Sequence, residues 1–278
     1  MKALFDSSSV NCSKLITTTY STSFSIGIKL FAPSIRPAIY SIYGFVRYAD
    51  EIVDTFHDYE QETLLNEFEE EYRKSLTRKI SLNPIINSFQ EVVLKYELQE
   101  YVDAFLTSMR FDLNKTEYST REEYNEYIYG SADVVGLMCL RVFVNNDNAR
   151  FNHLKESAQY LGSAFQKVNF LRDFKDDINE LGRSYFPELD TNTLTHTAKE
   201  HILLDIENDF AEAYKGIVQL PLESRLGVFV AYKYYSKLLK KLKKADTSSI
   251  MNSRIRISNP LKFLILTKAY IRFKFNII

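Results

Sequence analysis

Two aspartates four residues apart, Asp50 and Asp54, stand inside RPAIYSIYGFVRYADEIVDTF (residues 36–56), and the same spacing returns as Asp173 and Asp177 inside LGSAFQKVNFLRDFKDDINELGRSYFP (161–187). On a helix, a step of four brings two side chains onto one face with Cβ atoms roughly 5–6 Å apart. Two buried carboxylates so placed repel unless a cation joins them. A hard divalent ion with oxygen ligands and bridging phosphates suits that geometry. A single D-x-x-x-D is more often a solvated helix face, here with Arg47 pairing Glu51. Its recurrence, each time beside arginine, points instead to one site shared by two helices that face each other across a bundle.

The neighbours of the two pairs fit such a site. Tyr43 and Arg47 share a stripe with Asp50 and Asp54, while Gln166 and Asn169 share one with Asp173 and Asp177. The two amides are donors and acceptors for a ligand oxygen or a metal-bound water. Arg172 adjoins the second pair and Arg183 follows it, and arginine is the preferred bidentate partner of phosphate.

Helices must position these groups. Ile39, Ile42, Val46, Ala49 and Val53 recur at steps of three and four, as do Ala164, Val168, Leu171 and Ile178, giving each acidic segment a core-facing stripe. Further amphipathic helices are expected to start near Pro37, Glu60, Pro84, Glu100, Arg121, His153, Thr195 and Pro221. Ser, Thr, Asn and Pro cluster between them, as at Ser81–Pro84 and Asp190–Thr195. With 8 Gly and 6 Pro in 278 residues, long helices are favoured over short strands. No internal repeat and no linker divides the chain, so residues 1–278 read as one all-α domain. The 39 Phe and Tyr residues suffice to pack a core and line a cavity.

Cys12 and Cys139 form no paired motif, and the N-terminus has no apolar leader. A cytoplasmic, reducing compartment is the expectation. The four histidines, His57, His153, His196 and His201, form no ligand cluster. The net charge of −1 hides a basic end: from Tyr232 onward twelve Lys and Arg residues are opposed by Asp246 alone. Lys240–Lys244 and the basic-apolar run from Pro260 to Ile278 fit either peripheral contact with a membrane surface or a solvated basic face. No motif accompanies this charge that would point to nucleic acid.

Together, Y-x-x-x-R-x-x-D-x-x-x-D (Tyr43–Asp54) and Q-x-x-N-x-x-R-D-x-x-x-D (Gln166–Asp177) resemble the two signatures of the squalene/phytoene synthase family. The resemblance spans about residues 20–270, and Arg254–Tyr270 resembles the phytoene synthase branch. It implies an isoprenoid-synthase helical bundle around a central cavity. Ser21 and Ser23 of YSTSF match family positions contacting a substrate diphosphate, with Phe24 beside them. Some relatives carry histidine where Tyr20 stands and lysine where Thr22 stands. In YIYGSADVVG, Tyr127 matches a tyrosine bordering the reacting carbons, and Ala132, Val135 and Gly136 match cavity positions. Arg183 and Tyr185 of RSYFP, and Tyr235, match further site residues.

What the resemblance implies is head-to-head condensation of two isoprenoid diphosphates through a cyclopropyl diphosphate. Asp50, Asp54, Asn169, Asp173 and Asp177 would hold Mg²⁺ or Mn²⁺. Two geranylgeranyl diphosphates giving phytoene, without NADPH, is the leading expectation. Squalene or dehydrosqualene formation from farnesyl diphosphate is the rival within the family. A non-catalytic assembly role is opposed by retention of all four aspartates. A chain-elongating prenyltransferase is opposed by the absence of DDxxD motifs.

Overall fold

The computed structural model describes residues 1–187, 189 and 193–275. Asp190, Thr191 and Asn192 of the expected Asp190–Thr195 connection, and the last three residues of the basic tail, lie outside this set. Among the described residues the architecture is helical throughout: α1 (Lys2–Tyr20), α2 (Thr22–Lys29), α3 (Arg36–Asp54), α4 (Gln61–Arg78), α5 (Pro84–Tyr96), α6 (Gln99–Asn114), α7 (Arg121–Ile128), a π-helical turn (Tyr129–Asp133), α8 (Val134–Phe143), α9 (Asn148–Asn179), α10 (His196–Ile217), α11 (Leu222–Lys244), α12 (Thr247–Asn252) and α13 (Asn259–Lys274). The fold is the all-α bundle expected from periodicity. No described helix is long and apolar enough to cross a membrane.

Local chemistry sets the boundaries. Asn83 accepts from Ile85 N and Ile86 N, with Pro84 at the first helical position of α5. Asp147, Thr195 and Asp246 cap α9, α10 and α12 in the same way, and Thr120 caps α7. The α1–α2 break is at Ser21, whose extended backbone and hydroxyl, accepting from Phe24 N at 3.2 Å, restart the helix. The helical α1 leading up to it was not anticipated from the sequence.

Two apolar clusters hold the bundle. The first gathers α3, α5, α6 and α8, where Phe45 stacks on Phe89 at 4.1 Å and meets Phe68 at 4.9 Å. The second gathers α7, α9, α10 and α11 around Tyr127, Phe170 and Tyr185. The expected stripe of α3 is buried at Ile39, Ile42, Ala49 and Val53, while Val46 lines the cavity. The π-helical turn inserts an extra residue ahead of α8. Its backbone lies so close to α9 that a Cβ on Gly162 would stand 2.8 Å from the Ala132 carbonyl oxygen, so glycine is required there.

A buried ionic cluster fixes α9 on α10. Lys167 Nζ stands 2.8 Å from both Asp209 Oδ2 and Asp205 Oδ2, and the Ser163 hydroxyl donates to Asp209 at 2.7 Å. The segment after α9 is tied to that after α6: Ser184 N donates to the Thr116 carbonyl at 2.8 Å, and Tyr118 N to that of Ser184 at 3.3 Å. This short parallel bridge places Arg183.

Candidate active site

Between the clusters runs a cavity of about 360 Å³. On α3 its wall includes Ile39, Tyr43, Val46 and Asp50; on α9, Leu154, Ala158, Leu161, Gly162, Phe165, Gln166 and Asn169. At 1.5 Å per residue, it follows α3 for about 16 Å and α9 for about 22 Å. One end is polar, formed by Asp50, Gln166, Asn169, Tyr235, Ser21 and Ser23. The far end is apolar, with Phe31, Phe143, Leu154 and Gly227. Phe31 and Phe143 meet edge-on at 5.1 Å there. Gly227 lies so close that a Cβ would come within 2.2 Å of the Phe31 ring.

Aromatic rings line the polar half. Tyr43 stacks on Phe24 at 4.8 Å, and Tyr235 on Phe165 at 4.0 Å. The Tyr235 hydroxyl donates to Asn169 Oδ1 at 3.2 Å. Val135 and Gly136 on α8, and Ala132 before it, supply a wall of small side chains. Burial pushes the Tyr43 phenol up to about 12, so it is a neutral hydroxyl there.

The remaining charged groups cluster outside this wall. Arg47 pairs with Glu51 and lies 4.5 Å over the Tyr20 ring. Asp173 is clasped by two arginines: its Oδ1 lies 2.8 Å from Arg172 Nε and 2.7 Å from Arg254 Nε. Arg183 joins the acidic helices. Its Nη1 donates to Asp54 Oδ1 at 2.5 Å and its Nη2 to the carbonyls of Val53 and Asp112 at 3.0 and 2.8 Å. Its own N–H donates to the Asp177 carbonyl at 2.8 Å. Tyr185 stands beside it, stacked on Phe170 at 4.0 Å. Tyr127 does not line the cavity. It is buried in the aromatic cluster with its hydroxyl donating to Asp112 Oδ2 at 2.9 Å.

The carboxylates feel one another across the two helices. Burial, then the charge of Asp54, pushes Asp50 up to about 8, against the pull of Arg47. Burial, then Asp173 and Asp54, pushes Asp177 up to about 8. Asp54 therefore acts on partners from both helices, which places the two pairs in one electrostatic environment. Asp112, raised to about 7 by burial and then Asp54, against Arg183, belongs to the same group.

Among the described residues, no three His, Cys, Asp or Glu side chains gather closely enough to hold a metal by themselves. The convergence expected from spacing takes another form: Asp54 and Asp173 are engaged by arginines, while among the described residues the side-chain carboxylates of Asp50 and Asp177 have no hydrogen bond or ion pair. The donor set nevertheless fits a hard cation. Its atoms are carboxylate and amide oxygens, and Asp50 and Asp177 each bear repulsion from Asp54 that a divalent ion would relieve.

Sequence reasoning missed Asp112, Arg254 and Phe165. For Asp112 a signal existed: it continues the buried face Phe105, Met109 at helical spacing, where an acid needs a partner. Arg254 stands in the basic tail and opens the stretch resembling the phytoene synthase branch, and neither reading pairs it with Asp173.

Residues 17–260 match the sequence profile of the squalene/phytoene synthase family. Curated relatives include a 15-cis-phytoene synthase of Synechocystis sp., 28% identical over 92% of this chain and 83% of its own, and one of Enterobacter agglomerans, 27% identical over 90% of each. Among solved structures, a dehydrosqualene synthase in complex with ligand superposes with a TM-score of 0.82, at 21% identity, over 97% of this chain and 98% of its own. A squalene synthase from Alicyclobacillus acidocaldarius superposes with a TM-score of 0.73, at 21% identity, over 85% and 94%. With its bundle, its paired acidic helices and this profile match, the chain belongs to the squalene/phytoene synthase family, a family of prenyltransferases.

Proposed function

We propose that this enzyme condenses two geranylgeranyl diphosphates head to head, through a cyclopropyl diphosphate, to phytoene. The observation that carries this reading is the polarity of the cavity: long and apolar, with acidic and basic groups at one end only. Such a shape fits a molecule with an isoprenoid tail and a diphosphate head. The names of the curated relatives support the choice of product.

Asp50, Asp54, Asp173, Asp177 and the Asn169 amide would hold Mg²⁺ or Mn²⁺, which when bound supplies charge neutralisation of the leaving diphosphate. The chain's own residues do the rest. Arg47, Arg172 and Arg183 are each already paired with a carboxylate. If Asp54 and Asp173 held the cation, Arg183 and Arg172 would be free for phosphate oxygens, while Arg47, paired with Glu51, adds positive charge beside Asp50. Ser21 and Ser23 add hydroxyl donors at the same end.

Ionisation leaves an allylic cation that must be kept from water. Ile39, Val46, Leu161 and Leu266 exclude it, and the faces of Phe24, Tyr43, Phe165 and Tyr235 stabilise positive charge by their quadrupoles. The second prenyl double bond then attacks the cation and a proton is lost, closing the cyclopropyl diphosphate. Departure of its remaining diphosphate, rearrangement and loss of a second proton give phytoene. Tyr127, fixed by Asp112 behind the polar end, orients the wall and Arg183 together. No reductant enters this reaction.

The test is product analysis of purified protein given geranylgeranyl or farnesyl diphosphate, each with and without NADPH. Phytoene from the C20 substrate without NADPH is expected. Squalene formed only with NADPH would overturn the reading.

A further inference from the structure

Helix α13 has two faces with different partners. Its inner face packs on α11 and walls the cavity with Lys262, Ile265 and Leu266, then continues through buried Ala269 and half-buried Phe273. Lys262 lies 5.6 Å over the Tyr234 ring, which fixes this face. Among the described residues its outer face has no partner outside the helix. Leu264, Lys268, Ile271 and Phe275 follow one exposed stripe at steps of four and three, and Phe263, Thr267, Tyr270 and Lys274 follow the next. Phe263 is 71% exposed and Phe275 74%, so these rings stand almost wholly in water. Leaving such side chains in water carries a free-energy cost that a covering surface removes.

Charge selects that surface. The described residues from 247 to 275 carry Arg254, Arg256, Lys262, Lys268, Arg272 and Lys274 and not one acid. The neighbouring α11 adds Lys237, Lys240 and Lys244, all exposed. The field is strong enough that Arg272 and Lys240, after burial, lower the Lys233 ammonium. A second copy meeting this face would oppose cation to cation. A surface both apolar beneath and negative above matches it: exposed rings and aliphatic side chains enter the headgroup boundary while lysine and arginine meet anionic headgroups.

We propose that α13 is a docking helix for an anionic lipid surface, lying along it through Phe263, Leu264, Ile271 and Phe275, with Lys268, Arg272 and Lys274 on the headgroups. The inner face of the same helix walls the apolar cavity, so docking sets the cavity against the lipid rather than against water. This surface is independent of which prenyl substrate the enzyme uses.

The test is flotation of the full-length protein with phosphatidylcholine vesicles, with and without phosphatidylserine. The expected result is co-flotation only with the anionic vesicles, weakened by salt. Each basic side chain near such a surface contributes roughly fivefold in partitioning. Lys268→Glu with Arg272→Glu is therefore expected to cut binding by at least roughly tenfold, and Phe263→Ser with Ile271→Ser to do the same by removing the inserted surface. Circular dichroism and turnover in detergent, unchanged from the parent, establish that both variants are folded. Absence of vesicle binding by the parent, equal binding to neutral vesicles, or undiminished binding by either double variant would overturn the proposal. So would self-association through α13 without vesicle binding.

Discussion

Arg183 Nη1 donates to Asp54 Oδ1 at 2.5 Å, joining residues 129 positions apart in the chain. The same side chain, 6% exposed, holds the carbonyls of Val53 and Asp112, so one guanidinium ties the end of α3 to α6 and to the segment leaving α9. Removing it strands two buried carbonyls as well as a carboxylate. Arg183→Ala is expected to destabilise the protein by about 3 kcal/mol, because hydrogen bonds to charged groups contribute about 1.5–3 kcal/mol each. For a chain of this size that is a fall in melting temperature of roughly 6–12 °C. Arg183→Lys, unable to span the same acceptors, should recover little of it. Thermal melting of both variants checks this.

Among the described residues, Asp50 and Asp177 are the members of the acidic set whose side chains have neither an ion pair nor a hydrogen bond. Their cost to the metal-free fold is repulsion and burial, not a lost partner. Asp50→Asn and Asp177→Asn should lower turnover by about 10²-fold or more, the usual scale for losing one electrostatic stabiliser. Measured in chelator, both variants should melt at the parent's temperature or above it. Chelator should also abolish the parent's activity, with Mg²⁺ or Mn²⁺ restoring it.

The far end of the cavity should set substrate length. Ala158 on α9 lies toward the apolar end of the wall, one turn from Leu154, and Gly136 faces its carbonyl so closely that a Cβ would stand 3.0 Å away. Ala158→Phe should fill the channel there and shift preference from the C20 toward the C15 diphosphate. Phe143→Ala, by contrast, opens the floor. One methylene in an apolar pocket is worth about 1–3 kcal/mol, so the ratio of kcat/KM values should move by roughly tenfold or more. Competition between the two diphosphates, with chain lengths of products read by chromatography, measures it.

Asp133 offers a pH test away from the metal-binding groups. It sits in the π-helical turn with Oδ1 buried and unpartnered, and burial, then Asp209, raises it to about 8 against the pull of Lys167. Its folded value lies above its unfolded value near 3.8, so the native state binds more protons between the two. Stability from this group therefore falls as pH rises through that window and levels off above about 8. Asp133→Asn has no such titration. Its stability relative to the parent should grow as pH is raised from acidic to mildly alkaline, by at most about 1.4 kcal/mol per pH unit. Urea unfolding across that range, parent against variant, gives the difference directly.

Much of this was legible before any coordinates. The stripes of α3 and α9 declared themselves because Ile39, Ile42, Val46, Ala49 and Val53, or Ala164, Val168, Leu171 and Ile178, repeat at helical spacing, and the structure buries all but the half-buried Val46 and Ile178. Caps such as Asn83 and Thr195 are local chemistry and were legible for the same reason. What was not legible depends on distance in space. Nothing in sequence brings Arg254 to Asp173, 81 positions away, or Asp112 to Tyr127 and Arg183. The arginine clasps on Asp54 and Asp173 were also hidden, since spacing indicates which carboxylates share a face and not what neutralises them when no cation is bound.

The most direct measurement is anomalous diffraction from crystals of the protein soaked with Mn²⁺ and a non-ionisable thio analogue of geranylgeranyl diphosphate. The expected result is metal density shared by carboxylates of α3 and α9, the diphosphate beside Arg47, Arg172 and Arg183, and the prenyl chain running past Phe165 toward Phe31. Metal bound elsewhere, with Asp54 and Asp173 still held by their arginines and no chain in the cavity, would contradict it.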